Sequence, residues 1–485
     1  MATTASRAWP FRARPDTGMP PGPRLPYRRG LIGRRRAGPA LFDVLSEARA
    51  MGDLSSFRVG SERVYFVTRP EHVVTVLAEK ADIYSKNGHR ASQLLGQGLV
   101  SSTGDLWSRQ RRLLQPQFTT VGIRPYTDRM AQAALRRAAE WDTAAMAAVS
   151  LDLAEEMRFY ALDTIWRAIF SEPMELPTEH VLHAIDSAVE SVPTEAQFLS
   201  VASPRPAAAT EEFARSIREL DELIYDAMRR HAESGSRSAD DLLSVLRRGC
   251  GSGPEGRKLI RDELVTALIA GHETTARALS WTFHLLTCYP ERERELLAEM
   301  GAHSPSTALH PAHPSYLPAT TAFVSEVLRL YPPVWVYPRR TVAEERLDGW
   351  RVPAGSHVVL SPYFTQRHPE YWPQPDRFRP ERFAHGAKDP QQKGSYLPFG
   401  IGERACIGKQ FALAEMKVLL ATLLPRFELD GLPSSPVEPV FLTTLRPSLP
   451  ARVGVRRRAD GVPPSTTTTR SGGTWRQHPT AGGLV

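Results

Sequence analysis

Ten residues, Phe399-Gly400-Ile401-Gly402-Glu403-Arg404-Ala405-Cys406-Ile407-Gly408, set narrow limits on how this chain can fold. They place one cysteine in a loop, with glycines before and after it and an arginine two positions earlier. A helix-like run from Lys409 to Leu424 comes immediately after. A thiolate is a good metal ligand only when its pKa is depressed, and a helix N-terminus or a nearby cation does that. The glycines let the backbone wrap the sulfur and aim N–H groups at it. The loop therefore reads as a metal-binding cysteine cradle that opens a helix.

Composition adds limits of its own. At 485 residues and 41% hydrophobic content the chain suits a globular protein. Its three cysteines are too few for a disulfide framework and point to a reducing compartment. Cys288, in an apolar helical run, is expected to be buried. Cys250, between Gly249 and Gly251, is expected to be an exposed thiol in a loop. The net charge of +8 lies in the ends, because residues 1–36 hold nine arginines against Asp16 and residues 455–485 hold five against Asp460. The body between them is acidic, so nucleic acid is not an expected partner.

Residues 1–39 and 457–485 are rich in Pro, Gly, Arg or Thr and lack a hydrophobic period, so both read as disordered tails. No run of about 18 apolar residues occurs, and no transmembrane anchor is expected. Arg28-Arg29 and Arg34-Arg35 do not begin an export signal, because Asp43, Glu47 and Arg49 break the apolar stretch such a signal needs.

Between the tails the pattern is mainly α with small β-sheets, in a single domain over residues 40–456. A hairpin is expected at Phe57–Val59 and Val64–Thr68, and a helix after Pro70. Helical runs come next at Asp105–Leu114, Thr127–Met146, Leu151–Ile169, Glu211–Glu233 and Ala239–Arg247. The longest runs from Glu255 to Cys288, stopped by Pro290, and another from Ala319 to Leu330, stopped by Pro332-Pro333. Strand-like pieces fall at Thr341–Val352, His357–Leu360 and Val437–Val455.

Four further motifs carry chemistry. Ala270-Gly271-His272-Glu273-Thr274-Thr275 lies in the longest helix, where a threonine hydroxyl can bond a carbonyl of the preceding turn. A zinc His-Glu-x-x-His site is excluded by Ala276. Glu326 and Arg329 share a helix face, and Arg382 stands in Pro380-Glu381-Arg382-Phe383. Trp107 and Arg111 share another face, and both are donors. Taken singly, each also fits a plain helix interior, a surface ion pair or a core tryptophan.

Together, Phe399-x-x-Gly402-x-Arg404-x-Cys406-x-Gly408 and these four motifs, in this order, resemble the cytochrome P450 family, whose haem iron is held by a cysteine thiolate. The resemblance spans about residues 57–455. It implies haem b as cofactor, with Cys406 as its metal ligand and Phe399, Arg404 and Gly408 around it. Trp107, Arg111 and Arg404 would bind the haem propionates, with a further partner at Arg339, although Arg340 is adjacent. Glu326, Arg329 and Arg382 would form a buried ionic cluster bracing the cysteine loop. Gly271 would open space over the haem, while Glu273 and Thr274 would relay protons to dioxygen.

The implied activity is that of a monooxygenase using O2. The substrate would be a hydrophobic small molecule such as a terpenoid, fatty acid or polyketide. A pocket would be lined by residues 85–99, Ala267–Thr275, Val334–Val336 and Phe441–Thr444, with Trp335 and Phe441 bulky. No flavin or nicotinamide segment is seen after Leu424, so a ferredoxin or flavodoxin with its reductase would supply electrons, docking near Arg109, Arg112 and Lys409. The expected form is a cytoplasmic monomer. The alternatives are a peroxide-driven peroxygenase or isomerase, and a haem-thiolate sensor or carrier.

Overall fold

The computed structural model describes residues 19–23, 37–59, 62–86, 92–174, 176–190, 211–233, 241–301, 317–384, 393–430, 437–448 and 452–458. In chain order the first helices are α1 (Ala37–Met51), α2 (Pro70–Val74), α3 (Ser92–Leu95), α4 (Gly104–Leu114), α5 (Arg124–Ala147), α6 (Leu153–Phe170) and α7 (Thr178–Glu190). They continue with α8 (Glu211–Glu233), α9 (Leu242–Cys250), α10 (Pro254–Cys288), α11 (Pro290–Gly301), α12 (Pro318–Leu330), α13 (Pro362–Thr365) and α14 (Lys409–Leu423). The strands are β1 (Leu54–Val59), β2 (Glu62–Val67), β3 (Tyr84–Ser85), β4 (Leu151–Asp152), β5 (Tyr337–Thr341) and β6 (Glu345–Leu347). After them come β7 (Trp350–Val352), β8 (His357–Leu360), β9 (Phe427–Asp430), β10 (Pro439–Phe441), β11 (Leu445–Pro447) and β12 (Arg452–Arg457).

Helix α10 runs through the middle of the body. Pro254 opens it, where a missing N–H costs nothing, and the chain leaves it at Tyr289 before Pro290. Helix α6 lies along it and is buried on almost every side from Tyr160 to Phe170. That explains why its sequence shows no single apolar stripe. Helices α5 and α14 close the other sides, and Trp141 of α5 packs on Phe283 of α10 and Phe427 of β9.

The larger sheet has the order β1-β2-β8-β5-β3, with β1 antiparallel and β8 parallel to β2. Alternation along β2 sends Val64 and Phe66 into the helical core, and Tyr65 and Val67 into a second cluster with Val73, Leu77 and Val358. The piece expected at Thr341–Val352 is instead the end of β5 and then the β6–β7 hairpin. That hairpin turns at Asp348 and Gly349, with φ of 52° and 77°.

Other boundaries depart from expectation for local reasons. The run expected as helix from Leu151 opens as the short strand β4. Helix begins only at Leu153, where Asp152 caps it by accepting the N–H groups of Ala154 and Glu155. Asp241 likewise caps α9 through Ser244, so this helix starts later than expected and runs on to Cys250. Cys250 is thus the half-buried last residue of a helix, not an exposed loop thiol, and burial pushes its pKa up to about 11. Residues 19–23 fall in the segment expected to be an unstructured tail, yet they lie against β1. Ser56 donates its N–H to Pro21 at 3.0 Å and its hydroxyl to Pro20 at 2.8 Å. Helix α1 starts at Ala37, and at the other end Arg458 donates to the Leu424 and Phe427 carbonyls. The remaining tail residues lie outside the described residues, none of whose helices is long and apolar enough to cross a membrane.

Glu326, Arg329 and Arg382 meet in the interior with no side-chain exposure. Arg329 grips Glu326 through two bonds of 2.7 Å, and Arg382 reaches the same carboxylate at 3.3 Å. The Arg379 N–H adds a bond at 2.8 Å. Arg329 also donates to the carbonyls of Gln366, Pro375 and Arg377 and lies over the Trp372 ring. Gln366 passes this order on, because its amide donates to the Leu328 and Arg329 carbonyls while its oxygen accepts the Leu397 N–H at 2.6 Å. Leu397 is two residues before Phe399, so the cluster fixes the entry to the cysteine loop.

Arg329→Ala should therefore cost about 3–5 kcal/mol, because it strands a buried carboxylate. The expected outcome is little folded protein, or a much lower Tm with poor haem retention. Wild-type Tm and haem content in this variant would mean that the cluster does not brace the loop.

Candidate active site

The cysteine loop is shaped by two glycines in the left-handed region, Gly400 at φ 66° and Gly402 at φ 77°. A side chain on Gly402 would also strike the Leu77 carbonyl. The loop closes through the Cys406 N–H, which donates to the Phe399 carbonyl at 2.7 Å. Gly408 caps α14, so Cys406 sits at a helix N-terminus. Crowding by the chain raises the thiol pKa, while the Gly408 N–H and the Arg111 charge oppose that rise. Cys406 keeps exposed surface although many atoms surround it, so it faces a space inside the molecule.

Three cations converge beside this loop. Lys86, at the end of β3, is pushed down to about 8 by burial and by the charges of Arg339 and Arg404. Arg339, on β5, is lowered to about 10, first by burial, with Tyr337 opposing and Arg404 adding to the shift. Arg404 is also lowered by burial and by Arg111, and it lies 3.8 Å over the Trp107 ring. Its carboxylate partner, Glu403, stands 3.8 Å away and is more than half exposed. Cations held this way call for an anion in the space between them. Two propionates on an apolar macrocycle answer that need, so these residues fit a haem.

The structure separates Arg339 from Arg340: Arg339 faces the cation cluster, and Arg340 is exposed. Arg111 donates to the Ala405 carbonyl at 3.0 Å and so holds the loop itself. Phe399 is partly buried against the helical core. Arg109, Arg112 and Lys409 are exposed. Lys86 belongs to no motif and was not legible from spacing.

On α10, Ala267, Ala270, Gly271 and Thr274 keep surface although Leu268, His272, Thr275 and Ala276 are buried. One face of the helix thus opens on internal space. Thr274 donates its hydroxyl to the Ala270 carbonyl at 2.8 Å. Glu273 accepts the Thr444 hydroxyl at 2.9 Å and pairs with Arg277 at 3.5 Å. A β-carbon on Gly271 would press on Ile165 of α6 at 3.1 Å, so the glycine also lets the two helices pack closely.

Trp335 and Phe441, expected as bulky lining, are buried in an aromatic wall with Phe42 and Tyr363. The Trp335 indole donates to the Leu442 carbonyl at 2.7 Å. Val334 and Leu442 are the partly exposed neighbours. Of the lining segment 85–99, residues 87–91 lie outside the described residues. Residues 94–99 are fastened to α10. The Gln97 N–H donates to Asp262, the Leu99 N–H donates to Glu263, and Arg261 donates to the Leu94 carbonyl. Gly98 allows this approach, since any side chain there would overlap Thr266.

Burial, with some help from Asp262, pushes Glu263 up to about 7, against the Leu99 N–H. A raised carboxyl pKa means that the folded chain binds the proton more tightly than the unfolded chain. This contribution is complete below about pH 4.5 and is lost as pH rises to about 7, a change of about 3 kcal/mol. Glu263→Gln should flatten the fall in Tm between pH 5 and pH 8. Identical pH slopes in the two proteins would refute it.

The family model described as Cytochrome P450 matches residues 19–455. The chain is 33% identical over 407 residues to cyclooctatin synthase of Streptomyces melanosporofaciens, covering 81% of this chain and 87% of that protein. It is 31% identical over 431 residues to pentalenene oxygenase of Streptomyces avermitilis, covering 86% and 93%. The solved haem domain of cytochrome P450DA superposes with a TM-score of 0.78 over 91% of this chain and 98% of that one, at 24% identity, a likeness of fold. By sequence and by fold, this chain belongs to the cytochrome P450 family.

Proposed function

We propose that this P450 monooxygenase holds haem b through Cys406 and oxidises a terpenoid hydrocarbon or alcohol. The observation that carries the cofactor reading is the convergence of Lys86, Arg339 and Arg404 beside an inward-facing cysteine. Haem held by a thiolate activates O2, so that two electrons and two protons leave one oxygen atom in the substrate and the other in water.

The chain's residues divide the remaining work. The Gly408 N–H and the Arg111 charge favour the thiolate form of Cys406. Lys86, Arg339 and Arg404 would take the propionates, with Trp107 keeping the Arg404 guanidinium flat against its ring. Phe399 fixes the Cys406 backbone through its carbonyl. On the opposite side, Thr274 would present its hydroxyl from the open face of α10, and Glu273 would supply it with protons. Electrons would come from a ferredoxin or flavodoxin meeting Arg109, Arg112 and Lys409.

The substrate reading is supported by the names of the relatives, a cyclooctatin synthase and a pentalenene oxygenase. Partly exposed Ala267, Val334 and Leu442 are apolar, as a terpenoid needs. The experiment is an optical titration with terpenoid hydrocarbons and alcohols beside fatty acids, and then turnover with O2 and a reductase–ferredoxin pair. A spin-state shift and an O2-dependent product confined to the terpenoids are expected. Conversion of fatty acids alone would overturn the substrate reading.

Cys406→His should retain some haem but lose the thiolate-type spectrum of the reduced carbon monoxide complex. Persistence of that spectrum would place the ligand elsewhere. Thr274→Ala should bind haem and substrate like the wild type yet yield severalfold less product per electron, with the balance lost as peroxide. Unchanged product per electron would remove Thr274 from the proton path.

A further inference from the structure

Glu273 and Thr274 are adjacent in sequence, yet no hydrogen bond joins them. The Thr274 hydroxyl is turned back to the Ala270 carbonyl. One oxygen of Glu273 takes both the Thr444 hydroxyl and the Arg277 guanidinium, at 2.9 Å and 3.5 Å. Of the two, Thr444 has the better geometry. Arg277 holds Glu273 only at the outer limit of a hydrogen bond, and its own Nε has no hydrogen-bond partner among the described residues. Burial and the charges of Arg158 and Arg446 weigh against Arg277, and Arg158 is itself committed to Asp186 on α7.

Thr444 is well placed to anchor something. It is buried in the turn between β10 and β11. That turn is tied to the body by two long-range bonds, from the Trp335 indole to the Leu442 carbonyl and from the Leu445 N–H to the Pro333 carbonyl. Between these ties Thr443 is exposed. The turn is therefore held at both ends and carries the donor that fixes the acid.

We propose that Thr444 is a positioning residue, which parks the Glu273 carboxylate on the β10–β11 turn and keeps it from Thr274. This rests on the reading of Glu273 as the proton-supplying acid, but the parking itself can be tested apart from it. A hydrogen bond to a charged acceptor is strong enough to decide between two side-chain positions. Without it, the carboxylate would sample the open face of α10.

The test compares Thr444→Val, which keeps the shape and removes the donor, with Thr444→Ser, which keeps the donor. The first readout is the C–O stretch of the reduced carbon monoxide complex without substrate, which senses charge moving into the pocket. Thr444→Val should add a second band, Thr444→Ser should not, and the double variant Thr444→Val/Glu273→Gln should lose it again. The second readout is peroxide formed without substrate, which should rise about threefold or more in Thr444→Val alone. A wild-type infrared spectrum in Thr444→Val would overturn the proposal. So would a second band that survives Glu273→Gln, because it would then report a collapsed turn. Glu273→Gln alone tests the underlying reading: unchanged product per electron there would remove Glu273 from the relay, while the band pattern would still show whether Thr444 parks it.

Discussion

The buried contact among Glu326, Arg329 and Arg382 is the constraint on which the rest depends. Three charges without solvent are tolerable because each meets an opposite charge and backbone groups. Glu326 takes both arginines and a backbone N–H, and Arg329 spends its remaining donors on three carbonyls. Those carbonyls belong to the segment from Gln366 to Arg377, which has almost no regular structure of its own. The ion cluster serves there in place of a ladder of backbone bonds. Gln366 then carries the order to Leu397, and Tyr337 donates to the Leu397 carbonyl from β5. The cysteine loop is thus suspended between a helix and a sheet that otherwise have little to do with each other.

Much of the fold was legible because the signals were local. Pro254 and Pro290 bracket α10, Pro332 comes just after α12, and alternation along β2 marks the hairpin. The boundaries that shifted did so where a single side chain decided the outcome, as with the caps at Asp152 and Asp241. The Cys250 environment was misread because flanking glycines suggest a loop. Gly249 is instead a packing residue, pressed against Leu113 of α4.

The site was legible only where the family motif names residues. Cys406, Arg404 and Trp107 could be singled out from spacing, and the structure brings the last two into contact. Gln366 could not, and Lys86 and Thr444 fell only within broad expected lining segments, because each acts across a long stretch of chain. Arg339 and Arg340 were indistinguishable until pleating of β5 sent one inward and the other to solvent. Gly271 also stands close against Ile165 of α6, a contact that its motif does not announce.

The cation triad has a consequence for how the protein is assembled. Lys86, Arg339 and Arg404 repel one another, and a dianion among them, as proposed for the cofactor, would relieve that repulsion. Ligand capture would then add to the stability of the fold. A chain synthesised faster than its cofactor would linger with a charge-loaded cleft, which small anions could screen in the meantime. Supply of the prosthetic group would then bear on how much finished protein a cell accumulates.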